Sequence, residues 1–304
     1  MRIFLTGGTG YIGSAVLDAL LRGGHRVTAL VRDPEKAEQF SARGIEPIIG
    51  ELAKPSSYAA AADSADALVH TAYERSKSGH KVDRQAIDGL LAAAVRRRAA
   101  GTPTTVVYTS GIWVLGSTQG QAGEDAPVRP ADLVAWRPDH ERVVLDADGG
   151  LIRTAVIRPA IVYGGARGII ADLLKDAQNG LVRVVGDGQN HWPCIYDRDL
   201  ADLYVRVVTN PEARGIFHAN DEADERVQDI VDAISRHAKT TPDVRHMPID
   251  EARQKMGPYA DALALDQIVR SPRARALGWE PMLKSVSGNV ARLLEEFRAA
   301  RAAA

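Results

Sequence analysis

The chain has 304 residues, 45% hydrophobic and 25% charged, the composition of a globular protein with room for one large or two ordinary domains. Lys and Arg number 38 against 39 Asp and Glu, a net charge of -1, so no overall field draws the chain to nucleic acid or to a membrane surface. One cysteine, Cys194, excludes an intrachain disulfide framework and a multi-cysteine zinc site.

The opening residues lack the apolar core and cleavage site of a signal peptide, and nowhere do about 18 consecutive apolar residues occur, so a cytoplasmic protein without a membrane span is expected. Short β-branched runs at Arg2–Thr6, Arg26–Val31, Ile45–Ile49, Ala67–His70, Thr104–Thr109 and Leu151–Ile157 read as strands. Between them Ile12, Val16, Leu17, Leu20 and Leu21, and later Ile87, Leu90, Leu91, Ala94 and Val95, repeat at helical spacing. Arg96-Arg97-Arg98, before Gly101, reads as a solvated cationic helix end. The strand runs are nearly all apolar instead of alternating, so both sheet faces must be covered, and right-handed crossovers make a doubly wound parallel α/β sheet the economical topology.

After Tyr163 the texture changes. A helix is expected near Ile169–Gln178, another over Asp199–Val208, a short apolar run at Ile216–Ala219, a helix carrying Val227, Ile230, Val231 and Ile234, and a last one carrying Val286, Val290, Leu293, Leu294 and Phe297. The expected division is a dinucleotide-binding domain over residues 1–163, joined by a strand and helix from 195–220, and a smaller substrate-binding region over most of 164–304, with a cleft between them.

Thr6-Gly7-Gly8-Thr9-Gly10-Tyr11-Ile12-Gly13 lies between the first strand and the first helix. Gly7 permits a tight turn, Gly10 lets a pyrophosphate approach the backbone, Gly13 lets helix and strand pack closely, and the N–H groups that open the helix attract phosphate. Gly7, Thr9, Gly10, Tyr11, Ile12 and Gly13 are therefore the first cofactor-binding candidates; the alternative is a turn without ligand. An acid about 20 residues onward marks a free ribose 2′-hydroxyl. Here Val31 holds that place and Arg32 follows, a guanidinium suited to a 2′-phosphate, which favours NADP(H). If instead Arg32 is merely solvated and Asp33 accepts from the ribose, the cofactor is NAD(H).

These residues carry a resemblance. The opening with TGGTGYIG is similar to that of the extended short-chain dehydrogenase/reductases, the NAD-dependent epimerase/dehydratase group. Gly50-Glu51-Leu52 resembles its Gly-Asp-Leu adenine contact, Asp66-Ala67-Leu68-Val69-His70-Thr71-Ala72 its D-x-V-x-H-x-A strand, and Val107-Tyr108-Thr109-Ser110 its V-Y-x-S strand. Ile157-Arg158-Pro159-Ala160-Ile161-Val162-Tyr163-Gly164 resembles its R-P-x-x-V-Y-G, and Leu277-Gly278-Trp279-Glu280-Pro281 its L-G-W-x-P. The resemblance implies a Rossmann fold. It adds Glu51, Leu52, Thr71, Ala72, Tyr73, Thr109 and Pro159 to the cofactor-binding candidates.

The family's catalytic positions are changed. Its Tyr-x-x-x-Lys aligns with Trp136 and His140, and its Ser/Thr with Gly111, beside Ser110. An indole N–H only donates and does not titrate near neutrality, so Trp136 cannot exchange a proton with substrate. His140, one turn onward, is the candidate to contact ribose or to act as general acid. Ser110 is a candidate hydrogen-bond donor to a substrate oxygen, and Tyr163, at a strand end, is a third catalytic candidate. The histidines show no paired metal-ligand spacing, so no metal is expected. The leading expectation is an atypical short-chain oxidoreductase using NADP(H) on a small carbonyl or hydroxyl substrate, with a homodimer as one assembly. The competing readings are a non-catalytic NADP(H) sensor or interaction protein and a sugar-nucleotide epimerase or dehydratase, the last weakened because those reactions lean hardest on the Tyr.

Overall fold

The structure is a computed structural model that describes residues 1–302. In chain order come β1 (Arg2–Thr6), α1 (Tyr11–Arg22), β2 (Arg26–Val31), α2 (Pro34–Ala42), β3 (Glu46–Ile49), α3 (Ala59–Ser64), β4 (Ala67–His70), α4 (Gly79–Ala99) and β5 (Thr104–Thr109). Next are β6 (Gln121–Ala122), α5 (Arg137–Asp146), β7 (Ile152–Pro159), β8 (Ile161–Tyr163), α6 (Ile169–Gln178), β9 (Leu181–Val185), β10 (His191–Trp192) and β11 (Cys194–Tyr196). Then follow α7 (Asp197–Thr209), β12 (Gly215–Ala219), β13 (Glu225–Arg226), α8 (Val227–Arg236) and β14 (Asp243–Met247), and the last helix is Val290–Ala302. Two compact units emerge. The first holds Met1–Ser110, Trp136–Ile157 and Ala201–Phe217; the second holds Gly111–Ala135, Arg158–Leu200 and the chain from His218 onward.

The first unit is built on a seven-stranded sheet in the order β12-β7-β5-β4-β1-β2-β3, parallel from β7 through β3, with helices as the crossovers. This is the doubly wound α/β fold expected from the nearly all-apolar strands: all eight residues of β7 are buried, as are all four of β4. On α1 the buried side chains are Val16, Leu17, Ala19 and Leu20, the stripe that the helical spacing requires. Phe4 and Tyr58 stack with centroids 5.5 Å apart in a cluster with Leu68, Leu90 and Val106.

Three local expectations are corrected. Ile45 precedes β3 because its N–H returns to the Phe40 carbonyl at the end of α2. β7 runs two residues further than expected, to Pro159, because its end lies beside β12, where the next N–H, that of Ala160, reaches the Ala219 carbonyl at 2.9 Å. Arg97 is not a solvated cap: 7% exposed, it reaches Thr104 Oγ1, the Asp63 and Pro103 carbonyls and Asp66 Oδ1, while Arg96 pairs with Asp63. Arg97 therefore fastens the end of α4 to the start of β5, and Arg96 ties it to α3.

The second unit packs α6, α8 and the last helix around β8, β9 and β11, with Val184, Trp192, Ile230, Val231, Leu293 and Phe297 in its core. The last helix starts at Val290 and not at Val286, because Glu225 accepts the N–H groups of Val286 and Ser287 at 2.6 and 2.9 Å and holds that segment in a separate turn. Cys194 is buried here, and Trp279, without exposed surface, donates its indole N–H to the Asp199 carbonyl at 2.9 Å. Asp221 is also buried; burial, helped by the charge of Glu225, pushes its carboxyl up to about 7. A raised acid pKa means the native state holds the proton more tightly than the unfolded chain, so this contribution is complete below about pH 4 and is lost as pH climbs through 7. Urea unfolding of Asp221→Asn beside the parent should show the variant gaining roughly 2–3 kcal/mol relative to it between pH 5 and pH 8. An unchanged difference between the two curves refutes the assignment.

Candidate cofactor and active site

In the first unit the strand order reverses between β1 and β4, and such switch points leave a crevice at the strand C-termini. The glycine loop follows β1 there. Gly7 has φ +81°, and a Cβ on it would stand 2.6 Å from the Ala72 nitrogen; a Cβ on Gly13 would meet the Gly7 carbonyl oxygen at 2.0 Å and Thr71 Oγ1 at 2.5 Å. Those two glycines are demanded by the packing of β1, α1 and the end of β4. Gly10 is different: a Cβ there would find only the Gly7 oxygen within 4 Å, at 3.1 Å, so space beyond it is left for a ligand. Gly10 is also the N-cap of α1 and offers no side chain to the helix's opening N–H groups, which favour an anion.

Around this loop, Thr9 is exposed and Tyr11 and Ile12 are half-buried. Thr71 donates both its N–H and its hydroxyl to the Thr6 carbonyl, at 3.2 and 2.7 Å, and Ala72 follows half-buried. Arg32 is exposed at the end of β2 and makes no hydrogen bond or ion pair among the described residues. Asp33 Oδ1, by contrast, accepts the Glu35 N–H at 2.9 Å as the cap of α2. Glu51 is exposed and paired with Lys54 at 3.0 Å, and the half-buried Leu52 receives the Tyr58 hydroxyl on its carbonyl at 3.3 Å.

Beneath the ends of β4 and β5 lies a buried polar network that the sequence reading missed. Asp83, on α4 and 3% exposed, accepts from His140 Nδ1 at 2.7 Å, from the Tyr108 hydroxyl at 2.9 Å and from His70 Nε2 at 3.3 Å. Burial pushes the Asp83 carboxyl up, but the hydrogen bonds from His140 and His70 and the charge of Arg137 outweigh it and hold the group well below the usual range. An ionised carboxylate only accepts, so the proton of His140 sits on Nδ1, and that of His70 on Nε2. His70 Nδ1 is then left to accept from the Thr6 hydroxyl at 2.6 Å. His140 Nε2 makes no hydrogen bond among the described residues. One signal existed in the sequence: Asp83 shares the buried face of α4 with Ile87 and Leu90, a charge on an apolar stripe.

Trp136 immediately precedes α5, and its ring meets that of His140 edge-on with centroids 4.8 Å apart, so the one-turn relation between the two is kept. Tyr73, 44% exposed, stacks on Trp136 at 5.6 Å and 11°. Thr109 Oγ1 is 2.5 Å from the Tyr204 hydroxyl. Ser110 donates its N–H to the Ile157 carbonyl, and its hydroxyl is buried without a partner among the described residues. Buried hydroxyls are nearly always paired, and Ser110 shares the lack of a partner with Thr154, Ser235 and Ser271.

Two candidates lie in the second unit. Pro159 is buried at the end of β7. Tyr163 has no exposed surface; its hydroxyl donates to the Leu283 carbonyl at 2.9 Å and lies 3.2 Å from Asp221 Oδ2, and burial raises its phenol far above the ordinary value.

Comparison with known proteins bears on the family and the fold. The model of the NAD dependent epimerase/dehydratase family matches residues 3–219. Uncharacterized protein C2A9.02 of Schizosaccharomyces pombe is 29% identical over 92% of this chain and 95% of its own length. The 2-alkyl-3-oxoalkanoate reductase of Stenotrophomonas maltophilia is 31% identical over 62% of this chain and 60% of its own. Among solved structures, human epimerase family protein SDR39U1, with NADPH, is alike in fold at a TM-score of 0.79, with 22% identity over 97% of this chain and 99% of that one.

Proposed function

Because the chain belongs to the NAD dependent epimerase/dehydratase family, we propose that it is a nicotinamide-dependent oxidoreductase of atypical short-chain type, working with NADP(H) on a small carbonyl or hydroxyl compound. The observation that carries this reading is the start of α1, without a side-chain cap, behind a Gly10 whose only close neighbour for an added Cβ is the Gly7 carbonyl oxygen. The N–H groups of that turn would hold the pyrophosphate, and Arg32 the 2′-phosphate, while Asp33 is already engaged by α2. Glu51, Leu52, Thr71, Ala72, Tyr73 and Thr109 would line the remainder. When bound, the nicotinamide supplies the hydride chemistry. This chain then has to orient the substrate and move one proton: Ser110 donates to the substrate oxygen, and His140, its proton-bearing Nδ1 fixed by Asp83, exchanges a proton through Nε2. The likeness to an oxoalkanoate reductase supports a carbonyl substrate.

Titration of nucleotide fluorescence tests the cofactor assignment. NADPH should bind more tightly than NADH, and Arg32→Ala should weaken NADPH roughly 10- to 100-fold, the loss of charge-assisted hydrogen bonds, while leaving NADH unchanged. No binding of either nucleotide refutes the reading. Trp136 at the family's Tyr position favours a second reading, a protein that binds NADP(H) without catalysis. A carbonyl-substrate screen followed by NADPH absorbance separates the two.

A further inference from the structure

We propose that Arg137 is the substrate-recognition residue of this site and that it takes a monocarboxylate, so that the compound turned over is a small keto or hydroxy acid and not a neutral carbonyl. The proposal rests on the oxidoreductase reading and adds the substrate class to it.

Arg137 opens α5 and is half-buried. One terminal nitrogen, Nη1, donates to the Thr109 carbonyl at 3.1 Å and to the Tyr108 hydroxyl at 3.2 Å, which anchors the group at the C-terminal end of β5. Its guanidinium carbon lies 4.5 Å from the Trp136 ring centroid and 5.5 Å from that of Tyr73. Two aromatic faces and two hydrogen bonds thus hold a planar fork in place. The fork itself, Nε and Nη2, has no acceptor among the described residues.

Arg96 and Arg97, also in the first unit, use their forks on the protein itself. Arg97 engages Nε, Nη1 and Nη2, and Arg96 lays Nε and Nη2 on the Asp63 carboxylate at 2.7–3.0 Å. A fixed Nε/Nη2 edge matches the two oxygens of a carboxylate bidentately. The occupant's charge is bounded as well. Arg137 is one cation near two buried carboxylates, Asp83 and Glu141, both of which act on Tyr108. A single negative charge is matched by the one charge of the fork, whereas a phosphate dianion carries one more than the guanidinium neutralises. The exposed face of Tyr73 beside the fork suits the apolar carbons of a short acid.

The test is calorimetric titration of the whole protein with hexanoate and with its neutral counterpart hexanamide, each with and without saturating NADPH. Hexanoate should saturate and bind at least tenfold more tightly than hexanamide. Arg137→Gln should erase that preference while NADPH affinity stays within twofold of the parent, and Arg137→Lys should keep only part of it. Equal binding of acid and amide by the parent protein, no saturable hexanoate binding, or an undiminished preference in Arg137→Gln overturns the proposal. So does a loss of NADPH affinity in that variant equal to its loss of hexanoate affinity, since the fork would then serve the nucleotide. If Arg137→Gln does not fold, the acid–amide comparison in the parent and the lysine variant decide. Failure of the parent to bind NADPH, with hexanoate preference retained in the nucleotide-free arm, would sink the oxidoreductase reading and leave the carboxylate site standing.

Discussion

Asp83→Ala is expected to lower the free energy of unfolding by roughly 3–5 kcal/mol, as removal of one partner from a buried charged network does. The variant leaves His140, Tyr108 and His70, all buried, without their common acceptor. Urea denaturation at pH 7 measures the loss, and a shift below about 1 kcal/mol would show that the three donors find other partners. The pH dependence has a definite sign. The native carboxyl is held below the unfolded value, so its stabilisation is complete above about pH 4 and fades as pH falls toward the depressed native value. The parent should therefore lose stability on acidification below pH 4 more steeply than Asp83→Ala, which has nothing to protonate there.

His140→Ala is expected to reduce turnover about 100- to 10,000-fold, the range for removing a general acid or base, while NADPH affinity changes little. It should remain folded, because Asp83 keeps the hydrogen bonds from Tyr108 and His70. Initial rates of NADPH oxidation with an accepted carbonyl substrate give the answer. A rate within threefold of the parent would mean that the proton travels by another route, leaving His140 as support for Trp136. Asp83→Asn separates orientation from bulk: an amide of the same shape can present a donor to Nδ1 and so favour the wrong tautomer. Most of the loss in that variant should lie in kcat rather than KM.

The sheet was legible because its signals are local. Nearly all-apolar strands and a glycine loop between the first strand and helix are each read within a dozen residues, and the structure places β1, β2, β4 and β5 at the expected bounds. The Asp83 network was not, because it joins residues 13, 25 and 57 positions apart on four different elements. Arg137 escaped for a related reason: in the sequence it is one more charge between Trp136 and His140, and only the fold brings it against Tyr73 and the end of β5. Arg97 shows the converse error, in which a charge at a helix end invites a solvent-facing reading that tertiary packing reverses.

The interlock of Gly7, Gly13 and Ala72 bears on how such a protein diversifies. Backbone meets backbone so closely there that no side chain fits without parting β1, α1 and the end of β4, so lineages descending from this chain have little freedom at that spot. Tyr73, Trp136 and Arg137 stand instead on a connecting segment and at the opening of a helix, where exchanges disturb far less of the interior. On the proposed reading, drift at Trp136 and Arg137 would let descendants trade one metabolite for another while the packing around the glycine loop stays as it is.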